Sequence, residues 1–198
     1  MRVSNPVPHQ RKAVRGIHPA VEGNRIRAPC CLLLAQLKEK MKGQLNIGVI
    51  SDTHGQVRSE VYNAFEGVDF ILHAGDIGSR DVVTELEVIA PVKAVVGNID
   101  VDLTHHFPQQ QTFDLGKRTF VLQHIFHDIP SATSLSRQFV RKIVIFGHSH
   151  QPMSEHIGDT LYFNPGSAGP RRLQLPICVG KLKLKEERVS GEIIHLEQ

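Results

Sequence analysis

Apolar residues in this chain come in short runs, and most runs stop at a polar residue beside a glycine. Residues 45–51 end in Asp52-Thr53-His54-Gly55, 70–74 in Gly75-Asp76, 92–96 in Gly97-Asn98, and 143–146 in Gly147-His148-Ser149-His150. Four to eight apolar residues closed by a turn signal read as buried strands. Between the first three lie helical stretches at 56–66 and at 79–89, the latter capped by Ser79 with Asp81 in its first turn. Alternation of this kind predicts βαβ units and a partly parallel sheet. The second half reads as hairpins: 112–115 with 118–123 around Gly116-Lys117, 155–157 with 160–163 around Gly158-Asp159, and 177–184 with 188–196. Residues 134–141 read as a weak helix. The expectation is an α/β (α+β) protein, a two-sheet sandwich with its helices outside.

The 198 residues suffice for one domain. Residues 1–40 carry Pro6, Pro8, Pro19 and Pro29 with Gly16 and Gly23, and stand apart. Only 28–37 suggests a short helix there. Its apolar core is too short for a secretory signal, and Lys38-Glu39-Lys40 stands where small residues should follow. Residues 1–43 hold nine Lys+Arg against two Asp+Glu; the remainder holds fourteen against eighteen. The net +3 is therefore a basic extension, read as poorly ordered, joined to a mildly acidic domain over 41–198, with Met41-Lys42 as its natural start. The extension lacks aromatic residues to stack bases, so no nucleic-acid partner is expected. No apolar run approaches the ~20 residues of a membrane span. Three cysteines make no disulfide framework, which points to a reducing compartment, the cytoplasm.

Chemistry enters with the strand ends. Asp52 alone reads as a cap or turn residue. Asp52, His54, Asp76, Asn98, His124, His148 and His150 together are all oxygen or nitrogen donors with no thiolate among them, a set suited to divalent ions of intermediate softness. If Asp52 and His54 lie on extended backbone, their side chains point the same way. Seven donors suffice for two ions, with Asp76 as a bridge. Two ions ~3.5–4 Å apart can clamp a phosphoryl oxygen and hold a hydroxide for in-line attack.

In order, Asp52-x-His54, Gly75-Asp76, Gly97-Asn98, His124 after a strand, Gly147-His148-Ser149-His150 and Asn164-Pro165-Gly166-Ser167 resemble the calcineurin-like metallophosphoesterases, and most of all their small single-domain bacterial and archaeal phosphodiesterases. The likeness runs from about Met41 to the C-terminus. It implies a metallophosphoesterase sandwich that hydrolyses phosphodiesters. Asp52, His54, His150 and shared Asp76 would hold one metal; Asn98, His124, His148 and Asp76 would hold the other. Asp76, His54 and Asn98 would carry the catalytic roles, Asn98 also touching the substrate phosphate. The ions would be manganese first, with iron, zinc or nickel as others. Two departures stand out. Where the family often has His-Gly after its fourth strand, this chain has His124-Ile125 with His127 close behind, so His127 competes with His124. Where larger members have a histidine after Gly-Asn that protonates the leaving group, this chain has Ile99, which implies a preference for activated aryl esters.

The remaining candidates are weaker. Arg171-Arg172 follows the Asn164–Gly169 stretch and could contact phosphate or sit in a solvated loop. His73 lies within an apolar strand and reads as a hydrogen-bonded core histidine. His105-His106 reads as a surface loop, Cys30-Cys31 lacks a second ligand pair for zinc, and Cys178 reads as core. Two other functions compete. One is a scaffold keeping the fold but little or no chemistry, similar to the eukaryotic retromer subunit of this family. The other is a nuclease, which the acidic domain disfavours. A small phosphoester is the expected ligand, and self-association is left open.

Overall fold

The computed structural model describes residues 43–127, 141–172, 174–186 and 188–196. The helix expected within 28–37 lies outside these residues, as does nearly all of the one expected over 134–141. The described elements run β1 (Gln44–Ile50), α1 (Glu60–Ala64), β2 (Phe70–His73), α2 (Arg80–Glu87), β3 (Val92–Ala94), a 3-10 turn (Val101–Leu103), β4 (Gln110–Leu115), β5 (Arg118–Gln123), β6 (Lys142–Ile145), β7 (Met153–Ile157), β8 (Thr160–Asn164), β9 (Cys178–Lys185) and β10 (Arg188–His195).

They form two five-stranded sheets, ordered β10-β9-β1-β2-β3 and β4-β5-β6-β8-β7. The first is the expected βαβ layer: β1, β2 and β3 are parallel. The C-terminal hairpin β9–β10 joins it by pairing β9 antiparallel to β1. The second sheet corrects the reading of the second half as hairpins alone. Its β4–β5 and β7–β8 pairs are antiparallel, but β5 pairs β6 and β6 pairs β8 in parallel. A parallel pair needs a long connection, and residues 124–141 separate β5 from β6 in sequence.

Side-chain alternation places the core. Leu45, Ile47 and Val49 of β1 face inward with Phe70, Leu72, Leu182 and Leu184, against Phe120, Leu122, Ile143, Ile145, Leu161 and Phe163 of the second sheet. The outward set of the first sheet, with Ile50, Ile71 and Val179, packs on Val61 of α1 and on Val82, Val83 and Leu86 of α2. Helix α1 is shorter than its apolar pattern suggests. The stretch before it is held instead by Arg58, whose Nε and Nη2 donate to Gly169 O at 3.4 and 3.3 Å. Helix α2 begins as expected, with Ser79 Oγ accepting from Asp81 N at 3.2 Å. With β1, β2 and β3 parallel, the three loops leaving their carboxyl ends emerge on one edge.

Candidate metal centre

The loop after β1 stays registered on the loop after β2 beyond the strands themselves. Asp52 N donates to Gly75 O at 2.9 Å, His54 N to Asp76 O at 3.0 Å and Gly55 N to Ile77 O at 2.7 Å. The donors do not lie on extended backbone, as their spacing suggested. Asp52, His54, Asp76, His148 and His150 all adopt left-handed φ, between 48° and 68°; among the described residues Glu186 is the one other non-glycine that does. Each such residue carries a cost that only surrounding contacts can offset.

Those contacts bring the seven expected donors together. His124 Nε2 is 3.3 Å from Asp76 Oδ1 and 4.0 Å from Asp52 Oδ1. It is also 3.1 Å from Asn98 Oδ1, which lies 3.1 Å from His148 Nδ1. His150 Nε2 is 3.2 Å from Asp52 Oδ1, and His54 Nε2 is 4.0 Å from Asp76 Oδ2. Two triads, Asp52/His54/His150 and Asp52/Asp76/His124, have ligand atoms within 4.8 Å of one another. Asp52 belongs to both, while Asp76 touches a histidine of each. Ile125 and His127 are exposed, and His127 stands outside the triads. Arg171 and Arg172 are exposed, and Arg172 Nη2 donates to His54 Nε2 at 3.1 Å.

The donors fit a cation. Asp52 is fully buried. Its Oδ2 accepts from Ser51 Oγ at 2.6 Å and His148 N at 3.2 Å, yet its Oδ1, like His150 Nδ1, has no hydrogen-bond partner. Such orphans are rare in folded proteins. His124 Nδ1 donates to Ala74 O at 2.7 Å, so its Nε2, facing the oxygens of Asp76 and Asn98, can bond them only as an imidazolium and otherwise turns a lone pair toward them. That contact needs a positive charge, which a proton on His124 supplies in the free protein and a bound cation would supply in its place.

Burial pushes the Asp52 carboxyl up to about 6, with the Asp76 charge adding to it and Ser51 and His124 opposing. Burial would raise Asp76 as well, but hydrogen bonds from His124 and Ile99 N outweigh it and hold Asp76 below the usual range. For His124 burial is likewise outweighed, by Asp76 and Ala74 O, and its pKa is raised. His150 is lowered to about 4 by burial and then by Arg172. His54 is lowered for the same two reasons. Neutral imidazoles on this side keep lone pairs available at neutral pH.

A supporting layer was read from the sequence only in part, in His73 as a hydrogen-bonded core histidine. His73 is fully buried. Its Nδ1 accepts from Gly75 N at 3.2 Å, so its Nε2 donates to Thr53 Oγ1 at 2.9 Å, and Thr53 Oγ1 donates to Ile77 O at 3.0 Å. Asp100, buried, accepts from Ile77 N, Gly78 N and Gly97 N at 2.8–2.9 Å. Asn164 Nδ2 donates to Gly147 O and Ser149 Oγ at 3.0 Å, and Ser167 Oγ to Asp52 O at 3.2 Å. The Asn164–Ser167 motif was visible, but its pull on two donor loops was not. Asp100 had no signal setting it apart from Asp102. At Gly97 a Cβ would collide with the Asp76 carboxylate, and at Gly75 (φ 93°) with the His124 ring. A groove of about 540 Å³ opens beside Asn98 and His124.

The fold and these donors define a metallophosphoesterase. The family model for the calcineurin-like phosphoesterase superfamily domain matches residues 45–187, and the chain belongs to that superfamily. It is 36% identical over 157 residues to a protein named "Probable metallophosphoesterase" from Methanothermobacter thermautotrophicus, covering 75% of this chain and 91% of that one. It is 28% identical over 160 residues to Phosphodiesterase YfcE of Escherichia coli K12, covering 67% and 84%. In structure it resembles Vps29 complexed with Zn2+ from Entamoeba histolytica, with TM-score 0.59, 18% identity and coverage of 77% and 100%. Among the described residues no helix is long and apolar enough to cross a membrane.

Proposed function

We propose that this chain is a phosphodiesterase working with two divalent metal ions, manganese by first choice. The observation that carries the reading is Asp52 Oδ1, buried and unpaired at the junction of both triads. Asp52, His54, His150 and Asp76 would hold one ion, and Asp76, Asn98, His124 and His148 the other. When bound, such ions supply Lewis acidity at a phosphoryl oxygen and a source of hydroxide at neutral pH. The protein's part is to hold the donors, to neutralise the phosphate with Arg171 and Arg172, and to orient it through Asn98. Ile99 lends no proton to a leaving group, so activated aryl esters are the best substrates. Cys178, a buried thiol pushed up to about 11 by burial, is inert, in keeping with a cytoplasmic protein. No nucleic-acid or membrane partner is expected.

The test is metal analysis of the purified chain beside rates on bis(p-nitrophenyl) phosphate, p-nitrophenyl phosphate and an alkyl diester. The expected result is about two ions per chain, turnover fastest on the aryl diester, and loss of both in Asp76→Ala. A second reading, a metal-holding binding protein, draws on the likeness to Vps29, a protein named for sorting. Bound metal without turnover on any ester would favour it.

A further inference from the structure

The groove beside Asn98 and His124 differs in charge from the opposite flank. Beyond those two donors it is lined chiefly by Val101, Thr104, Gln109, Gln110, Gln123 and Ile125, with no acidic or basic side chain among the described residues. The flank at His54 carries the Arg172 guanidinium. Val101 is 71% exposed and Ile125 37%, so the walls offer open apolar surface next to amide and hydroxyl groups. These walls are tied down. Val96 N donates to Pro108 O at 3.0 Å, Gln111 Nε2 to Ala94 O at 2.8 Å, and Gln123 Nε2 to Ile125 O at 3.0 Å. A volume of about 540 Å³ falls in the range of drug-sized ligands and exceeds what a phosphate alone would fill.

Resting on the phosphodiesterase reading, we propose that this groove selects the ester arm that stays on the phosphate, and that the arm is neutral, hydrogen-bonding and of nucleoside size. A charged arm would lose water there without a counter-charge, whereas a neutral one meets amides and apolar contacts. The arm is the retained one because, among the described residues, no lining side chain except the metal-donor His124 could give a proton to a departing alkoxide.

The experiment uses the full chain loaded with manganese and two diesters sharing one leaving group, thymidine 5′-(p-nitrophenyl phosphate) and methyl p-nitrophenyl phosphate. The thymidine ester should have a KM lower by about tenfold, and a 3′-phosphate on its sugar should erase that advantage. Val101→Glu, at an exposed position, should raise KM for the thymidine ester about tenfold and for the methyl ester less than about twofold, with kcat unchanged for both. Val101→Thr should keep the preference. Equal KM values for the two esters, or an equal rise in both with Val101→Glu, would overturn the proposal. If no ester is hydrolysed with any metal, the phosphodiesterase reading fails by itself. The groove is then read by NMR titration with thymidine 5′-monophosphate and methyl phosphate. Shifts at Val101, Thr104 and Ile125 amides with the nucleotide alone support a neutral-arm site; their absence rules it out.

Discussion

At Asp52 one carboxylate oxygen is held by Ser51 and His148, and the other faces His150 and His124 with no hydrogen bond. A buried ionised oxygen without a partner costs about 1–3 kcal/mol in a metal-free protein. Asp52→Asn keeps the shape and removes the charge. We expect the variant stripped with EDTA to melt at a higher temperature than the wild-type apoprotein, and added manganese to stabilise only the wild type. Equal melting of the two apoproteins would show that Asp52 is not under strain. His73 supplies the pH prediction. Buried, it is lowered to about 3, whereas in the unfolded chain it titrates near 6.5. Its contribution is constant above pH 6.5. Stability is lost as pH falls below that value, by about 1.4 kcal/mol per pH unit until the folded group itself protonates near 3. Urea unfolding at pH 7, 6 and 5 should show a steeper loss for the wild type than for His73→Gln, and parallel slopes would refute the assignment. The burial of His73 was legible from its place in an apolar strand. The left-handed backbone at five donors was not, because φ there is imposed by loop-to-loop hydrogen bonds that no local pattern encodes.

Between elements, the loops after β2 and β3 meet at Asp100, which takes three backbone N–H groups from Ile77, Gly78 and Gly97. Asp100→Ala would leave the buried Ile77 N–H without that acceptor, at about 1–3 kcal/mol, while the half-buried Gly97 N–H and exposed Gly78 N–H can turn to water. We therefore expect a loss of about 1–3 kcal/mol in denaturant titration, and weaker manganese binding because Asp76 and Asn98 sit on the two loops released. Asp100→Asn should fall between. Unchanged metal affinity in Asp100→Ala would mean that the donors are positioned by other contacts. Gly97→Ala adds a Cβ that collides with the Asp76 carboxylate. It should cut metal affinity about tenfold or more while a metal-free melt moves less. Strand positions were legible because apolar runs closed by Gly-Asp, Gly-Asn and Gly-His are strong local signals. The parallel β5–β6–β8 pairing was not, since it depends on which strands come to lie side by side rather than on any residue within them.

For the molecule as a whole, the placement of β1 bears on the basic N-terminal segment. β1 lies at the centre of the first sheet, between β9 and β2, and its first residue is Gln44. The donors lie past its other end, so the chain enters the domain ~20 Å from Asp52, taking ~3.3 Å per strand residue. Every strand of both sheets falls within Gln44–His195. Residues 41–198 hold fifteen Lys+Arg against eighteen Asp+Glu, so the segment before them carries the excess that makes the whole chain +3. We therefore propose that residues 1–40 are dispensable for folding and for the metal centre. A chain beginning at Met41 should melt within about 2 °C of the full protein, bind as much manganese and hydrolyse bis(p-nitrophenyl) phosphate at the same kcat/KM. It should also cease to be retained on a cation exchanger at pH 7, since its net charge changes sign. A truncated chain that is insoluble, or that binds metal but turns over ester at least about tenfold more slowly, would place part of residues 1–40 against the domain near the donor edge, and the boundary at Met41 would be wrong.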